Sequence, residues 1–298
     1  MTWLRRLAVT ALALQMVLVV TGTAVRVTGS GLGCPTWPRC TGGSLANTAE
    51  LGAHGFIEFG NRLLAVVMEV VGIALIVVVR RHAPRLTRLA LVQAAVVPLQ
   101  AVIGGLLVLS GLNPYVLILH FLTSFPLVFC AAALLTRVNG RVEGHAHGAV
   151  RLLTGGVVAA TSVVLLLGAL VTGTGPHAGS EKVERLPFSP RDITQLHADG
   201  VFLLTGLVLA TAALAWSTQW RRWAVGLVAL VVAQAGLGYL QYFTGSPAGL
   251  VAVHVALATT IFTTGSWVFL SSGPPSVVLP GHNASPTRER ARGTARAR

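Results

Sequence analysis

Residues 22–40 read GTAVRVTGSGLGCPTWPRC, residues 54–62 read HGFIEFGNR, and the second half of the chain restates both. At 168–175 it reads GALVTGTG and at 193–200 ITQLHADG, so Val27-Thr28-Gly29 has an echo in Val171-Thr172-Gly173 and Asn61 falls opposite His197. Further along, Gln234 and His254 follow Gln100 and His120 by 134 positions each. Self-similarity on this scale predicts two related half-proteins that face each other.

Composition says where those halves reside. With 53% hydrophobic and 10% charged residues in 298 and a mean hydropathy of +0.73, an ordinary soluble domain is excluded. Runs long enough to cross a hydrocarbon core, about 20 residues for ~30 Å, fall near 7–25, 57–79, 89–109, 115–136, 152–171, 197–216, 224–242 and 249–270. The expected fold is therefore an all-α polytopic membrane protein, with eight transmembrane helices arranged as two repeat-related four-helix bundles. The bundles occupy 1–140 and 141–272, and a disordered Arg-rich tail follows at 273–298.

Orientation follows from the arginines, because short positive loops stay in the cytoplasm. Arg5, Arg6, Arg80, Arg81, Arg85, Arg88, Arg137, Arg141, Arg151, Arg221, Arg222 and the tail from Arg288 all fall on one side. Both termini are expected in the cytoplasm of a bacterium, with loops 26–55, 110–114, 172–192 and 243–248 outside its plasma membrane. The formal charge of +13 then marks the cytoplasmic face. A basic tail can bind nucleic acid, but anionic lipid head groups are the plainer partner. The basic start MTWLRR resembles a signal peptide; its counterpart at 152–171 lies where no leader can be, which argues for a retained first helix.

Cys34 and Cys40 lie in the longest outer loop of the first half, with prolines bending the backbone between them. A bridge between them forms readily in an oxidising compartment, and closing so short a ring contributes about 2 kcal/mol. It is either a staple or a redox-active pair. The second reading draws on the exposure expected of the loop and on the lack of cysteine in the matching loop at 176–190. Cys130, alone in the fourth helix, reads as a small core residue.

His197 and His254 each lie seven residues after a proline, and His120 six, on helices that start at the outer face. At 1.5 Å per residue all three reach a similar depth, about 10 Å into the membrane. A lone intramembrane histidine is usually a packed core residue. Three at one depth in repeat-related positions point to a site, because ionisable groups there are costly. Haem iron takes two axial nitrogens from facing helices, and His197 with His254 would meet that demand in one half. A six-coordinate iron of this kind transfers electrons or serves structure.

In the first half, Glu58 stands three residues before Asn61 and one turn from His54, on one helix face. A carboxyl at that depth acts as a base or stabilises developing positive charge, unless it is simply paired with Arg62 four residues on. Thr194 takes its place in the second half. Glu69 and Asp199 carry less information. The histidines at 82, 145, 147 and 282 read as solvated, and His177 could cover a cofactor edge.

With these residues assembled, the chain resembles the haem A synthases from residue 22 to about residue 270. The motifs that carry the likeness are VRVTGSGLGCPTWPRC, IEFGNR, LHF at His120, QLHADG at His197 and AVHVAL at His254. The resemblance implies an eight-helix membrane oxidoreductase that converts haem O to haem A by oxidising a ring methyl to a formyl group, for terminal oxidase assembly. It implies haem b on His197 and His254, substrate haem near His120 and Glu58, Glu58 as the catalytic acid, and a Cys34–Cys40 disulfide. Haem O synthase, a membrane farnesyltransferase, is the implied partner; apart from the resemblance, membrane lipid is the partner expected of the basic tail in place of nucleic acid, and a homo-oligomer is a further option. There is one departure, since the family commonly has histidine where this chain has Asn61. Either His120 alone holds the substrate iron, with Asn61 bonding a ligand or water, or His54 substitutes. A half that no longer catalyses is a further reading.

In the implied mechanism Glu58 stabilises the cation left by electron loss, so that water adds. A second oxidation gives a hydrated aldehyde, which loses water to the formyl product; haem b is the expected electron relay, and the cysteine pair either accepts electrons or helps receive the substrate. Other classes make different demands. A bis-His haem b carrier needs neither Glu58 nor the cysteines, a repeat-built transporter would place charged contacts at broken helices near the midplane, and a thiol oxidoreductase would want a second cysteine pair.

Overall fold

The structure is a computed structural model that describes residues 2–139, 148–177, 179 and 183–272. The tail at 273–298, together with Arg141, His145 and His147, lies outside the described residues. Eight α-helices follow one another: α1 Thr2–Val27, α2 Gly52–His82, α3 Thr87–Leu109, α4 Pro114–Asn139, α5 Gly148–Thr174, α6 Pro190–Ala215, α7 Arg221–Phe243 and α8 Ala248–Ser271. All eight are long and apolar enough to cross a membrane, and the described residues contain no strand. The expected all-helical, eight-span fold stands, and half of the helix ends fall within two residues of the sequence-drawn spans, with the largest difference at α6, which begins at Pro190 instead of 197.

Helices are what lipid permits, because each satisfies its own backbone groups where no water can. Side chains obey the same rule. Thr154, Thr161 and Thr211 are buried and donate to the carbonyls four residues back, Val150, Val157 and Leu207, at 2.9, 2.7 and 2.8 Å. Val66, Val70, Ile73 and Val77 of α2 are exposed, which in a membrane is the lipid-facing stripe.

Each half closes into a ring. In the first, α1 packs on α2 and α4, and α3 joins α2 to α4; in the second, α5 packs on α6 and α8, and α7 joins α6 to α8. The rings meet where α1 and α4 lie against α8 and where α4 lies against α5. Val19, Phe125, Val128, Leu165 and Phe262 form the buried seam there, with the rings of Phe125 and Phe262 edge to face at 5.2 Å.

One end of the molecule gathers the loop after α1 and the turns α3–α4, α5–α6 and α7–α8, and we call it the cap. Two of its turns share a conformation. Gly111 and Leu112 have φ of 64° each, and Gly245 and Ser246, 134 positions on, have 73° and 58°. The amide of Leu112 donates to Leu107 and that of Ser246 to Gln241, at 2.9 and 2.7 Å. A leucine in the left-handed region costs about 1–3 kcal/mol. Packing offsets that, because the Leu112 methyls fill the space where a Cβ on Gly31 or Gly179 would sit, at 2.8 and 3.1 Å. Leu112 thereby keys the first cap loop to the one after α5.

The seam predicts that Phe125→Ala lowers stability by about 3 kcal/mol, read as an earlier thermal transition of the detergent-solubilised protein. An unchanged transition would mean that the seam does not hold the rings together.

Candidate functional site

The cap loop of the first half is fastened to α2 by one carboxylate. Glu58, 5% exposed, accepts the amide of Cys34 on Oε2 at 2.7 Å and pairs through Oε1 with Arg62 at 2.5 Å. Arg62 goes on to donate to the carbonyls of Cys34, Thr36 and Arg39 at 3.1, 3.1 and 3.3 Å. The ion pair set out as the plain alternative for Glu58 is therefore present, and it belongs to a larger clasp. Close approach of the loop depends on glycine. A Cβ on Gly33 would run into the carbonyl of His54, and one on Gly105 of α3 would enter the Trp37 indole. Cys34 and Cys40 are joined as a disulfide, and both are 0% exposed. That removes exposure as an argument for a redox-active pair. Cys130 is a free thiol and only half-buried, so it is not the core residue expected.

The three histidines occupy matching surroundings. His120 of α4 lies with its ring edge 3.2 Å from where a Cβ on Gly104 of α3 would be; for His197 of α6 and Gly168 of α5 the gap is 3.2 Å, and for His254 of α8 and Gly238 of α7 it is 3.5 Å. Each ring thus uses the space a glycine leaves on the preceding helix. Two glutamines repeat as well, Gln100 donating to the carbonyl of His120 at 3.1 Å and Gln234 to that of His254 at 3.0 Å.

His197 and His254 face one another across the second ring, their centroids 6.5 Å apart and their planes at 51°. His197 meets the Val164 carbonyl through Nδ1 at 3.1 Å, which as a donor bond leaves Nε2 free to bind a metal. The Nδ1 atoms of His120 and His254 are buried without a hydrogen-bond partner.

The fourth position differs. Asn61 accepts the Thr21 hydroxyl on Oδ1 at 2.7 Å, so this side chain is spent on α1. His54 lies in the exposed first turn of α2 and meets Ser30 Oγ at 2.9 Å. Glu58 and Asn61, placed on one face by their spacing, are turned toward the cap loop and α1 respectively. Asp199 is exposed and bonded to Gln195 at 2.8 Å. Among the described residues no cluster of three or more His, Cys, Asp or Glu could hold a bare metal ion, and two imidazoles facing across a gap suit a metal that brings its own equatorial ligands.

Sequence reasoning missed Arg26 and the glycines behind the rings. Gly104 and Gly238 stand 134 apart, like the histidines they serve, and that spacing was the available signal. Arg26 was visible as a cation at the end of α1 away from Arg5 and Arg6.

Residues 5–180 match the COX15-CtaA family, described as cytochrome oxidase assembly protein. The "Heme A synthase" of Symbiobacterium thermophilum is 29% identical over 298 aligned positions, covering 90% of this chain and 93% of that protein. Those of Bacillus pumilus and Staphylococcus epidermidis are 30% and 27% identical over 184 and 181 positions, covering 57% of this chain and 59% of each relative.

The clasp makes its own prediction. Gly33→Ala should cost about 2 kcal/mol by overpacking and speed reduction of Cys34–Cys40 by a mild thiol, followed by alkylation and mass. An unchanged rate and melting temperature would show that the loop does not depend on this contact.

Proposed function

The chain belongs to the COX15-CtaA family of cytochrome oxidase assembly proteins, and from that premise we propose that it is a haem A synthase, a multi-pass membrane oxidoreductase that oxidises a ring methyl of haem O to a formyl group. The observation that carries this reading is the asymmetry between the rings. One holds two facing imidazoles, and the other holds one imidazole with a fixed carboxylate nearby on the same bundle. An electron carrier would have use for the first arrangement alone.

The second ring fits haem b. Bonds of about 2 Å on each side of an iron, with the distance from nitrogen to ring centre added, come close to the observed 6.5 Å. His197 and His254 would hold haem b, and haem b would supply one-electron transfer there. In the first ring Asn61 does not fit as a ligand, since an amide binds haem iron poorly and its oxygen already accepts from Thr21. His120 therefore holds the substrate iron alone. His54, exposed and bonded to Ser30, does not replace Asn61.

Glu58 acts in substrate oxidation through Oε1 and Oε2. Conversion of methyl to formyl is two successive two-electron oxidations, in which one water supplies the oxygen and protons leave with the electrons. Loss of electrons from the methyl leaves positive charge on its carbon, and a carboxylate beside it stabilises that charge and takes a proton from the incoming water. Arg62 and the Cys34 amide keep the carboxylate pointed. The cap loop, sealed by the disulfide and seated on Gly105 through Trp37, keeps bulk water out. The arginine-bearing face is cytoplasmic in this reading, the cap lies outside the plasma membrane, and the haem O synthase delivers substrate.

In membranes of a host that makes haem O, the chain should produce haem A on extraction and chromatography. Glu58→Gln keeps the acceptor for Cys34 and should lower haem A by at least about 100-fold while haem b stays bound. Product formation by Glu58→Gln would sink the carboxylate's role, and haem b without any haem A from the wild type would favour the electron carrier. Asn61→His should convert the substrate haem from one-histidine to two-histidine ligation, seen as a change from high-spin to low-spin absorption. A substrate haem already low-spin in the wild type would contradict single ligation.

A further inference from the structure

Arg26 sits at the cap end of α1 and is used by nothing in the chemistry above. Its Nε donates to the carbonyl of His177 at 2.5 Å, and His177 in turn meets the Ser246 carbonyl through Nε2 at 2.7 Å. These bonds strap the first ring to two cap turns of the second. The Nη2 group of Arg26, by contrast, is buried with no hydrogen-bond partner. A guanidinium keeps its charge in any protein environment, and a buried donor without an acceptor costs about 1–3 kcal/mol, more when charged. Such a group calls for an anion.

The helix geometry says which way it faces. Thr21 and Arg26 are five positions apart, about 140° around a helix of 3.6 residues per turn. Thr21 faces Asn61 of α2, so Arg26 turns away from the interior of the first ring and toward the second. The level fits too. His254 lies six residues beyond Ala248, where α8 begins, or about 9 Å along the helix. The strap therefore stands above the imidazole pair by a height comparable with the reach from a porphyrin's centre to the ends of its propionate arms.

We propose that Arg26 is a carboxylate subsite, whose Nη2 donates to a propionate of the haem held between His197 and His254. The first ring then supplies the anion contact for the porphyrin of the second. This rests on the haem b part of the reading above. A phospholipid phosphate at the cap offers the same chemistry from another source, and the two are separable.

The test loads the full chain in membranes with haem or with haem dimethyl ester, whose propionates are blocked. Haem content per chain comes first, because a wild type that takes up no low-spin haem overturns the haem b reading itself, whatever Arg26 does. Given uptake, the wild type should prefer haem over its diester by about tenfold, the size of one charge-assisted hydrogen bond. Arg26→Gln should take both alike, and Arg26→Lys should recover part of the preference. The comparison is made within each variant, so general loss of stability cancels. The midpoint potential of the low-spin haem should also fall in Arg26→Gln, because a positive charge that disfavours the ferric state is gone. An undiminished preference in Arg26→Gln overturns the proposal. If that variant instead loses a bound anionic phospholipid in native mass spectrometry with its haem preference intact, the anion is lipid and the assignment to haem falls.

Discussion

Hydrocarbon offers a polar group nothing to bond, and the whole structure is shaped by that refusal. Backbone groups answer it by coiling into eight helices, and the buried threonines answer it by bonding to the carbonyl four residues back. Some of the groups that do not answer it gather about the site. His120 and His254 bury a ring nitrogen without a partner and Arg26 buries a guanidinium nitrogen, while Asn61 has found Thr21 and Glu58 has found a whole loop. A membrane protein can keep such orphans only when something else supplies the missing bond. Two opposed imidazoles and a cation above them describe the complement of a flat, metal-bearing, carboxylated ligand.

The cap is held in place by different physics. Its loops have too few apolar residues to bury a core of their own, so they are pinned by single devices. The Glu58 clasp and the disulfide fix the first loop, the Trp37 indole lies over a bare Gly105, and Leu112 accepts an unfavourable backbone to plug the space beside Gly31 and Gly179. Apart from the disulfide, each device joins residues distant in sequence. The loop is thereby rigid enough to present Glu58 in one orientation, which a carboxylate serving a developing charge requires, since electrostatic stabilisation is lost if the group must first reorient.

Much of this was legible before any coordinates. Apolar run length alone located the eight helices, because the bilayer sets that length and leaves few alternatives. Spacings of six or seven residues from three prolines put His120, His197 and His254 at a similar level, because a helix converts residue count directly into depth. What could not be read was which faces meet. Spacing put Glu58 and Asn61 on one face of α2, yet it could not say that the first would be taken by a loop amide and the second by a hydroxyl on α1. Nor could the exposure of Cys34 and Cys40 be judged from an outer loop's length, since burial there depends on the loop folding back over α2. Arg26 was passed over because arginines were being counted for orientation, where one on the wrong side reads as noise. A cation at the end of α1 away from Arg5 and Arg6 is better taken as a residue kept there against the general rule.

The rings share one plan and differ at one corner. In three of four places an imidazole rests over a glycine on the preceding helix, and glutamines at matching positions brace two of those helices. In the fourth place, an amide takes the imidazole's position and bonds a threonine on α1. A ring with two opposed imidazoles holds an iron symmetrically and closes both of its faces, which suits electron transfer and nothing that must enter or leave at the metal. Removing one imidazole loosens the grip on the ligand, and a substrate must eventually depart. The first ring compensates with the clasped carboxylate, which the second lacks because Thr194 stands there bonded to its own helix at the Pro190 carbonyl. In the proposed reading, retention of a permanent group and turnover of a transient one would follow from two side-chain differences on a common scaffold, Asn61 against His197 and Glu58 against Thr194.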